Sequence, residues 1–580
     1  MNRWIVGLLG FVMSMSASPV VAETVEIDSY HVTRYQASQP DTPGIPLALG
    51  QIAEGPAGDV RLRVVSTQHE LSLSHPEAIA VHDLLGHMLA VTTTPKPPAE
   101  EPTNQEPPAT EELPAEQEPP TPPVNPDTGT DSDKNPFLGM NLADVTYYTR
   151  AWVFTDLLLQ SDAWRDSGAG HIFKSGYAPP GVYLCTWSGS GSIRFSGDAS
   201  AQPTGTNSAK VTVNSGNRGI DMRRSGTVAD VNLMRLEHEM RISPFQPEYL
   251  DSLKPFKVVR FMDWANTNNS GLKHWTSRAR KGQITQARSG GVAIEYMIAL
   301  ANELNADPWF CIPHLADDDY IRRHAELVRD RLNPDAKVYI EYSNEVWNSQ
   351  FKQHDHIKRL GDGETYSDAF FNAWAERNRR TFAIWSDVFG DQAKTRLVRV
   401  AAVHLQNPWV AEKLLPKLNG EFDAVAPSAY FGITRRQGKQ LNSASTTARI
   451  LDLCEENIRS DNKDWYTRHG QMARDWSKKL GRPIRLISYE AGQHLSANGD
   501  DNLPYYDQLI RAQTHSRMYG LYLMNMRLFE QAGGDLFVAF NDIGQPGKFG
   551  SWGHLEYQTQ PISEAPKYKA LIEYPRIKSD

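Results

Sequence analysis

The stretch Lys337-Val-Tyr-Ile-Glu-Tyr-Ser-Asn-Glu-Val-Trp-Asn348 decides how the rest of the chain is interpreted. Its first half alternates β-branched and aromatic residues with other types, which predicts a strand over Val338–Tyr342. That strand should end just before Glu345, where a loop begins. A second segment, residues 484–490, has the same pattern and also ends on a glutamate, Glu490. Two carboxylates, 145 residues apart, therefore close two predicted strands.

Segments of this kind recur along residues 136–580 and alternate with helical patterns. Eight strands are predicted, at residues 137–142, 257–262, 309–314, 338–342, 397–404, 423–430, 484–490 and 536–541. Helical periodicity separates most of them, at residues 292–304, 319–332, 369–389 and 505–519. Eight β/α units over this length predict the α/β class and, within it, a parallel (β/α)₈ or TIM barrel.

The interval between the first two predicted strands breaks this alternation. Four short segments rich in strand-forming residues begin there at Gly181, Ser192, Lys210 and Val231, with Gly, Ser and Asn between them. We predict a small β-rich subdomain inserted after the first strand, at about residues 168–240. It should emerge from the barrel face that carries the βα loops, where it would either shape a cleft or pack on the barrel's side.

The N-terminal part of the chain has a different composition. Residues 1–22 have the features of a secretory signal peptide: Arg3, an apolar run over 4–12 and small residues at Val20-Val21-Ala22. We therefore expect a secreted or periplasmic protein. Alternating patches over residues 23–93 predict a small β-rich accessory module. Residues 94–135 are rich in Pro, Glu and Thr, which predicts a disordered linker.

Composition and charge argue against several classes of protein. The net charge is -9, but residues 94–136 hold ten acidic and two basic residues, so the remainder is close to neutral and lacks the basic face of a nucleic-acid-binding protein. No segment after the signal peptide is apolar enough to cross a membrane. Cys185, Cys311 and Cys454 lack metal-binding spacing, and Asp317-Asp318-Asp319 is interpreted as a helix cap. We expect no metal and no cofactor.

Two strand-end glutamates on one face of a barrel suit the hydrolysis of a glycosidic bond. Cleavage with retention of configuration needs an acid/base and a nucleophile whose carboxyl groups lie about 5–5.5 Å apart. Glu345 and Glu490 are placed for these roles, and the amide of Asn344 could bond a sugar hydroxyl beside the reacting carbon. The negative charge of Glu490 should raise the pKa of Glu345, as an acid catalyst requires.

On these residues, the segment from about 136 to 560 resembles the clan A glycoside hydrolases, retaining (β/α)₈ enzymes with an acid/base on strand four and a nucleophile on strand seven. The resemblance implies Glu345 as the acid/base and Glu490 as the nucleophile. It also implies substrate-binding side chains at Arg260 on strand two, His314 on strand three, His404 on strand five, Tyr430 on strand six and Trp552, about ten residues past strand eight.

Structural roles stay open for several of these side chains. Arg260 either orients Glu490 and keeps it ionised or belongs to a structural ion pair. The two histidines and Tyr430 fit a packed core as well as a site. The expected function is retaining hydrolysis of a β-linked polysaccharide within its chain. The alternatives are a non-catalytic polysaccharide-binding protein on the same scaffold and a polysaccharide lyase, against which the paired glutamates argue.

Overall fold

The computed structural model describes residues 134–164, 168–238, 243–363 and 365–575, together with strands between residues 20 and 72. These N-terminal strands pair antiparallel in chain order and are Val20–Ile27, Tyr30–Ser38, Pro46–Glu54, Val60–Ser66 and Glu70–Ser72. The signal peptide over 1–22 and the linker over 94–135 lie almost wholly outside the described residues. Both stay predictions, as does an independent module over 23–93.

The larger part of the chain forms a closed parallel barrel with eight strands, as the sequence predicts. In chain order they are Asn135–Asn141, Phe256–Arg260, Asp307–Ile312, Val338–Tyr342, Leu397–Val403, a sixth strand in two pieces (Ala424–Pro427 and Ala429–Phe431), Arg485–Gln493 and Gly534–Ala539. We number them one to eight. Each strand pairs in parallel with the next, and strand eight pairs with strand one, which closes the barrel.

Helices lie between the strands and after strand eight. They are Pro247–Leu253, Ile294–Leu304, Asp318–Arg331, Lys352–Leu360, Tyr366–Phe389, Ala393–Arg396, Trp409–Leu414, Arg435–Gly438, Thr447–Asn457, Lys463–Leu480, Tyr506–Ala512, Arg517–Gln531 and Pro566–Ile572. The single helix predicted over 505–519 is wrong, because two helices occupy this region. The buried Gln513 side chain donates to the Leu509 carbonyl at 3.0 Å, in place of the backbone N–H that would continue the first helix.

The predicted insertion after strand one is confirmed. Its described residues, 168–238, contain seven strands: Ala169–Ile172, Gly181–Ser188, Ser192–Gly197, Ala199–Gly205, Ser208–Val213, Ile220–Ser225 and Ala229–Arg235. They form one four-stranded and one three-stranded antiparallel sheet. The insertion has a hydrophobic cluster of its own, which includes the fully buried Phe173, Tyr183, Val211 and Leu233. It is therefore a packed subdomain rather than a long loop.

Alternate residues of each barrel strand point inward and fill the barrel. On strand one the inward position is Gly139, where a Cβ atom would lie 2.9 Å from the side chain of Val538. On strand four, Tyr339 belongs to the interior cluster, and Glu341 two residues later faces the same way. Arg260, at the end of strand two, is fully buried. The interior thus carries the charged side chains of Arg260 and Glu341 beside apolar ones.

Cys185, Cys311 and Cys454 are all buried and free. Cys311 lines the barrel interior as a small buried side chain. Among the helices of the described residues, none combines the length and the apolar content needed to cross a bilayer.

Candidate active site

The backbone after strand four follows a strained path. Ser343 and Glu345 have φ angles of 59° and 42°, in the left-handed region that residues other than glycine rarely adopt. The Ser343 N–H still pairs with the Ile312 carbonyl of strand three at 2.8 Å, so the turn begins directly at the end of the strand. Strain of this kind is found at functional sites. It lies at the carboxyl end of the barrel, where enzymes of this fold carry their active sites.

Glu345 accepts hydrogen bonds on both carboxyl oxygens. The hydroxyl of Tyr489, on strand seven, donates to Oε1 at 2.8 Å. Nδ2 of Asn348, three residues further along the loop, donates to Oε2 at 2.9 Å. The carboxyl group is therefore held in one orientation at the end of the barrel, facing strand seven.

A bulge in strand seven brings the second glutamate to the same place. The register of strand seven against strand eight shifts between Ser488 and Ala491. Regular alternation would turn Tyr489 and Glu490 to opposite faces of the strand, whereas a bulge re-aims side chains. Here Tyr489 reaches Glu345, and Glu490 joins the adjoining network around Arg260.

Glu490 is buried and is held by two donors. Nη1 of Arg260 donates to its Oε1 at 2.9 Å. The hydroxyl of Tyr430, on the second piece of strand six, donates to its Oε2 at 3.0 Å. A guanidinium and a phenol directed at one carboxylate favour its ionised form, as a nucleophile requires.

The two carboxyl groups influence each other's ionisation. Burial raises the pKa of Glu345, against the hydrogen bonds from Asn348 and Tyr489. Burial also raises the pKa of Glu490 to about 7, with the charge of Arg260 opposing this shift and the charge of Glu345 adding to it. Because the cation contacts Glu490, we assign the negative charge of the pair to Glu490 and the proton to Glu345. The raised pKa of Glu345 is as expected, but burial is its main cause.

Arg260 is the centre of the hydrogen-bond network. Its side chain is fully buried, and Nη1 donates to Oδ1 of Asn141 at 2.8 Å as well as to Glu490. Nη2 donates to Oδ1 of Asn344 at 2.8 Å and to Oε2 of Glu341 at 2.8 Å, and Nε donates to the same oxygen of Glu341 at 3.2 Å. Arg260 thus orients Glu490 and also belongs to a buried ion pair, so the two roles left open by the sequence are both present.

Asn344 is fixed on both sides of its amide. Its oxygen accepts from Arg260, and its Nδ2 donates to Oδ1 of Asn268 at 3.1 Å. The side chain of Gln353 holds this arrangement by donating to Asn268 Oδ1 at 2.7 Å and to the Asn344 carbonyl at 2.8 Å. The amide of Asn344 can therefore still offer a sugar hydroxyl the second hydrogen of Nδ2 or the second lone pair of Oδ1.

The two predicted histidines lie near this network and are neutral at physiological pH. Burial lowers the pKa of His314 and of His404 to about 4 in each case. His314 is buried and contacts His356, with ring centroids 5.4 Å apart. His404 packs against the indole of Trp347, two residues beyond Glu345, with centroids 4.0 Å apart. Glu345 and Glu490 take their hydrogen bonds from Tyr489, Asn348, Arg260 and Tyr430 rather than from either histidine.

Trp552 reaches the site because the loop after strand eight folds back. The N–H of Asn541, just past strand eight, donates to the carbonyl of Trp552 at 3.3 Å. The indole lies 5.8 Å from the ring of His494, and that ring lies 5.2 Å from the ring of Tyr430. Trp552 is therefore connected through two aromatic contacts to the side chain that bonds Glu490, although it lies thirteen positions beyond the end of strand eight.

The structure adds site residues that the sequence did not single out: Asn141, Asn268, Glu341, Asn348 and Tyr489. Asn141, the last residue of strand one, also donates to the Tyr489 carbonyl at 3.0 Å and the Ala539 carbonyl at 3.2 Å. The rule that selects polar residues at strand ends would have found Asn141, but Tyr489 lies within strand seven. Glu341 lies within strand four, so no such signal marks it. Within the described residues, no group of three or more His, Cys, Asp or Glu side chains could hold a metal ion.

No protein-family model and no curated protein matches this chain. Among solved structures, it is similar to a family 51 arabinofuranosidase from Xanthomonas axonopodis pv. citri, with 14% identity over 52% of this chain and 61% of that chain and a TM-score of 0.35. It is similar to a family 51 alpha-L-arabinofuranosidase from Bifidobacterium longum, with 12% identity over 57% and 66% of the two chains and a TM-score of 0.40.

A third similar structure is an endo-1,4-beta-D-xylanase from Clostridium thermocellum, with 10% identity over 71% of this chain and 89% of that chain and a TM-score of 0.31. This chain spans less than two thirds of the length of the two arabinofuranosidases. Likeness at these TM-scores carries no weight for activity. The barrel fold rests on the strand order itself, and in that fold, with glutamates after strand four and on strand seven, the chain resembles the clan A glycoside hydrolases.

Proposed function

We propose that the protein is a retaining glycoside hydrolase that cleaves β-linked polysaccharides by double displacement. The observation that supports this most strongly is the arrangement of two carboxyl groups at one end of the barrel. Glu345 accepts a hydrogen bond from Tyr489. Glu490, the residue after Tyr489, accepts hydrogen bonds from Arg260 and Tyr430. One carboxyl is thus surrounded by neutral donors and the other by a cation, which separates an acid from a nucleophile.

The reaction has two steps with the same two groups. In the first, the ionised Glu490 attacks the anomeric carbon while protonated Glu345 gives its proton to the leaving glycosidic oxygen. A covalent glycosyl-enzyme results, and the aglycone departs with the proton. In the second, the ionised Glu345 removes a proton from water, which attacks the same carbon and releases Glu490. Two inversions give overall retention of the anomeric configuration.

Aromatic side chains near each carboxyl group support a polymeric substrate. Trp347 follows Glu345 by two residues and is partly exposed, while Trp552 lies beyond Tyr430 on the side of Glu490. Aromatic rings stack on the apolar faces of sugars. Rings near both carboxyl groups suit a chain that continues on both sides of the cleaved bond, which is why we propose cleavage within the chain. The proposed signal peptide would place the enzyme outside the cytoplasm, where such polymers occur.

Screening of the full-length protein against β-glucans, mannans, xylans and galactans tests this proposal. Release of reducing ends, with the β-anomer seen first by ¹H NMR, is the expected result. Products that absorb in the ultraviolet would identify a lyase instead. Saturable binding without any new reducing ends across the panel would identify a non-catalytic binding protein. A first product with the α-configuration would contradict the retaining mechanism.

A further inference from the structure

The buried carboxylate of Glu341 has no part in the two-step reaction, although it contacts the same arginine as the nucleophile. Its side chain points into the barrel, and the residue is only 1% exposed to solvent. Its Oε2 accepts four donors: Nη2 of Arg260 at 2.8 Å, Nε of Arg260 at 3.2 Å, Nε1 of Trp309 at 2.9 Å and Sγ of Cys311 at 3.4 Å. Its Oε1 has no hydrogen-bond partner among the described residues.

Stability does not account for this arrangement. Removing two charges from water is costly, and a buried ion pair can often be replaced by apolar side chains of similar volume without loss of stability. A buried oxygen without a donor adds a further cost. The barrel interior around Glu341 is otherwise apolar or aromatic, as at Trp309, Tyr339 and Val400. Apolar residues in place of both Arg260 and Glu341 would suit that interior, so the pair points to an effect on the neighbouring site.

We propose that Glu341 is a positioning residue, which holds Arg260 in the orientation that serves Glu490 and Asn344 and takes up part of its positive charge. This inference rests on the proposed glycosidase function of the site. Two nitrogens of Arg260 are bound by one oxygen of Glu341, which fixes the plane of the guanidinium. In that plane, Nη1 points to Glu490 and Nη2 to Asn344. A single arginine thus serves two anions, and neither receives its full charge.

Sharing the cation keeps Glu490 basic enough to attack. A carboxylate facing an undivided arginine in a buried site would be held strongly in its ionised form, and a less basic carboxylate is a weaker nucleophile. Glu341 also acts on the acid/base. Burial is the main cause of the raised pKa of Glu345, and the negative charge of Glu341 raises that pKa further. The titratable groups that face Glu341 are Arg260 from strand two, Cys311 from strand three, Tyr489 from strand seven and Glu345 above it.

The substitution Glu341→Gln tests this inference, because glutamine keeps the shape and one acceptor but removes the charge. We expect both limbs of the pH profile of kcat/KM to move to lower pH by about one unit, since removing one buried negative charge near a carboxyl group lowers the pKa of that group by roughly this amount. We also expect kcat on an aryl glycoside to fall about 10-fold or more, because the nucleophile is less basic. A residue with a purely structural role would lower activity without moving either limb.

Two further variants separate charge from position and from stability. Glu341→Asp keeps the charge on a shorter side chain, so the limbs should stay at their wild-type positions while kcat falls because Arg260 is displaced. Glu295→Gln is the matched control, since Glu295 forms a buried ion pair with Arg278 at 2.7 Å on the outer helix Ile294–Leu304. It should lower the melting temperature and leave both limbs unchanged. Limbs of Glu341→Gln that coincide with those of the wild type, or a Glu341→Asp variant with wild-type kcat, would overturn the inference.

A measurement without substrate separates this inference from the proposed function. Infrared titration follows the carboxylate bands of the wild type, and subtraction of Glu490→Gln identifies the band of Glu490. In Glu341→Gln that band should titrate about one pH unit lower. If the wild type hydrolyses no glycan, the proposed function fails, while the infrared shift still decides the role of Glu341. An unshifted Glu490 band would refute the inference whatever the activity.

Discussion

The hydroxyl of Tyr489 donates a hydrogen bond of 2.8 Å to Oε1 of Glu345. The two residues are 144 positions apart in the chain and belong to strand seven and to the loop after strand four. Because Glu490 follows Tyr489 directly, this contact brings both predicted catalytic glutamates to one end of the barrel.

Glu490→Gln should abolish hydrolysis while the fold persists. Glutamine has the shape of glutamate but cannot form the glycosyl-enzyme, so release of reducing ends should fall by at least about 10³-fold. The melting temperature and the circular dichroism spectrum should stay close to those of the wild type. The control is Glu412→Gln on the surface of helix Trp409–Leu414, which should keep full activity. A Glu490→Gln variant with a tenth of wild-type turnover would refute the assignment.

Glu345→Gln should lose activity in a manner that depends on the leaving group. Polysaccharide hydrolysis needs a proton on the departing oxygen and should fall by about 10²–10⁴-fold. The dinitrophenolate of a dinitrophenyl glycoside departs without protonation. The first step with that substrate should therefore stay fast, and the glycosyl-enzyme should accumulate. Added azide should react with it and give a β-glycosyl azide, detectable by NMR. Equal losses on both substrates would exclude Glu345 as the acid/base.

Tyr430→Phe should raise the apparent pKa of the nucleophile. The Tyr430 hydroxyl donates to Oε2 of Glu490 at 3.0 Å and thereby favours its ionised form. Its loss should move the acidic limb of kcat/KM to higher pH by about one to two units, since a hydrogen bond to a buried charge contributes about 1.5–3 kcal/mol. Activity should therefore fall most at acidic pH. An acidic limb at its wild-type position would show that this hydrogen bond does not control Glu490.

Asp423→Asn should weaken the fold without changing the chemistry. Asp423 lies just before strand six, at the amino end of the barrel, and accepts from Arg399 Nε at 2.8 Å and from Arg482 Nη1 at 3.0 Å. Replacing it by the neutral amide should lower the free energy of unfolding by about 1–3 kcal/mol. The opposite end of the barrel carries the site, so kcat should be unchanged. Urea unfolding and activity assays check the two parts of this prediction.

The difference in the free energy of unfolding between the wild type and Asp423→Asn should depend on pH with a defined sign. Burial alone would raise the pKa of Asp423, but the hydrogen bonds and charge of Arg399 and the charge of Arg482 outweigh it and lower the pKa. A carboxyl with a lowered pKa contributes stability above its unfolded pKa, about 3.9, and loses it as the pH falls through the folded value. The difference between wild type and Asp423→Asn should therefore be constant from about pH 5 to 8 and shrink below about pH 4. Asp475→Asn, at an exposed position on helix Lys463–Leu480, is the control and should show little difference at any pH.

Much of the architecture could be predicted from local patterns. Strand periodicity placed all eight barrel strands, and the punctuation by Gly, Ser and Asn identified the insertion after strand one. These features depend on residues close together in the chain, which is why a single sequence reports them. The break between helices Tyr506–Ala512 and Arg517–Gln531 was missed, because it depends on the Gln513 side chain, whose burial is a tertiary effect.

The sequence by itself determined the order of the strands and the position of Glu345 just after strand four, since both follow from residue type and period; the prediction that strand seven ends on Glu490 is wrong, because the strand continues to Gln493. Only the tertiary structure decided how the two glutamates are oriented. The bulge in strand seven directs the side chains of both Tyr489 and Glu490 toward the same site, and the folded-back loop brings Trp552 to it. The pairing of Glu341 with Arg260 arises likewise from the closure of the barrel. These features join residues from distant strands, and their distances depend on packing that no local pattern encodes.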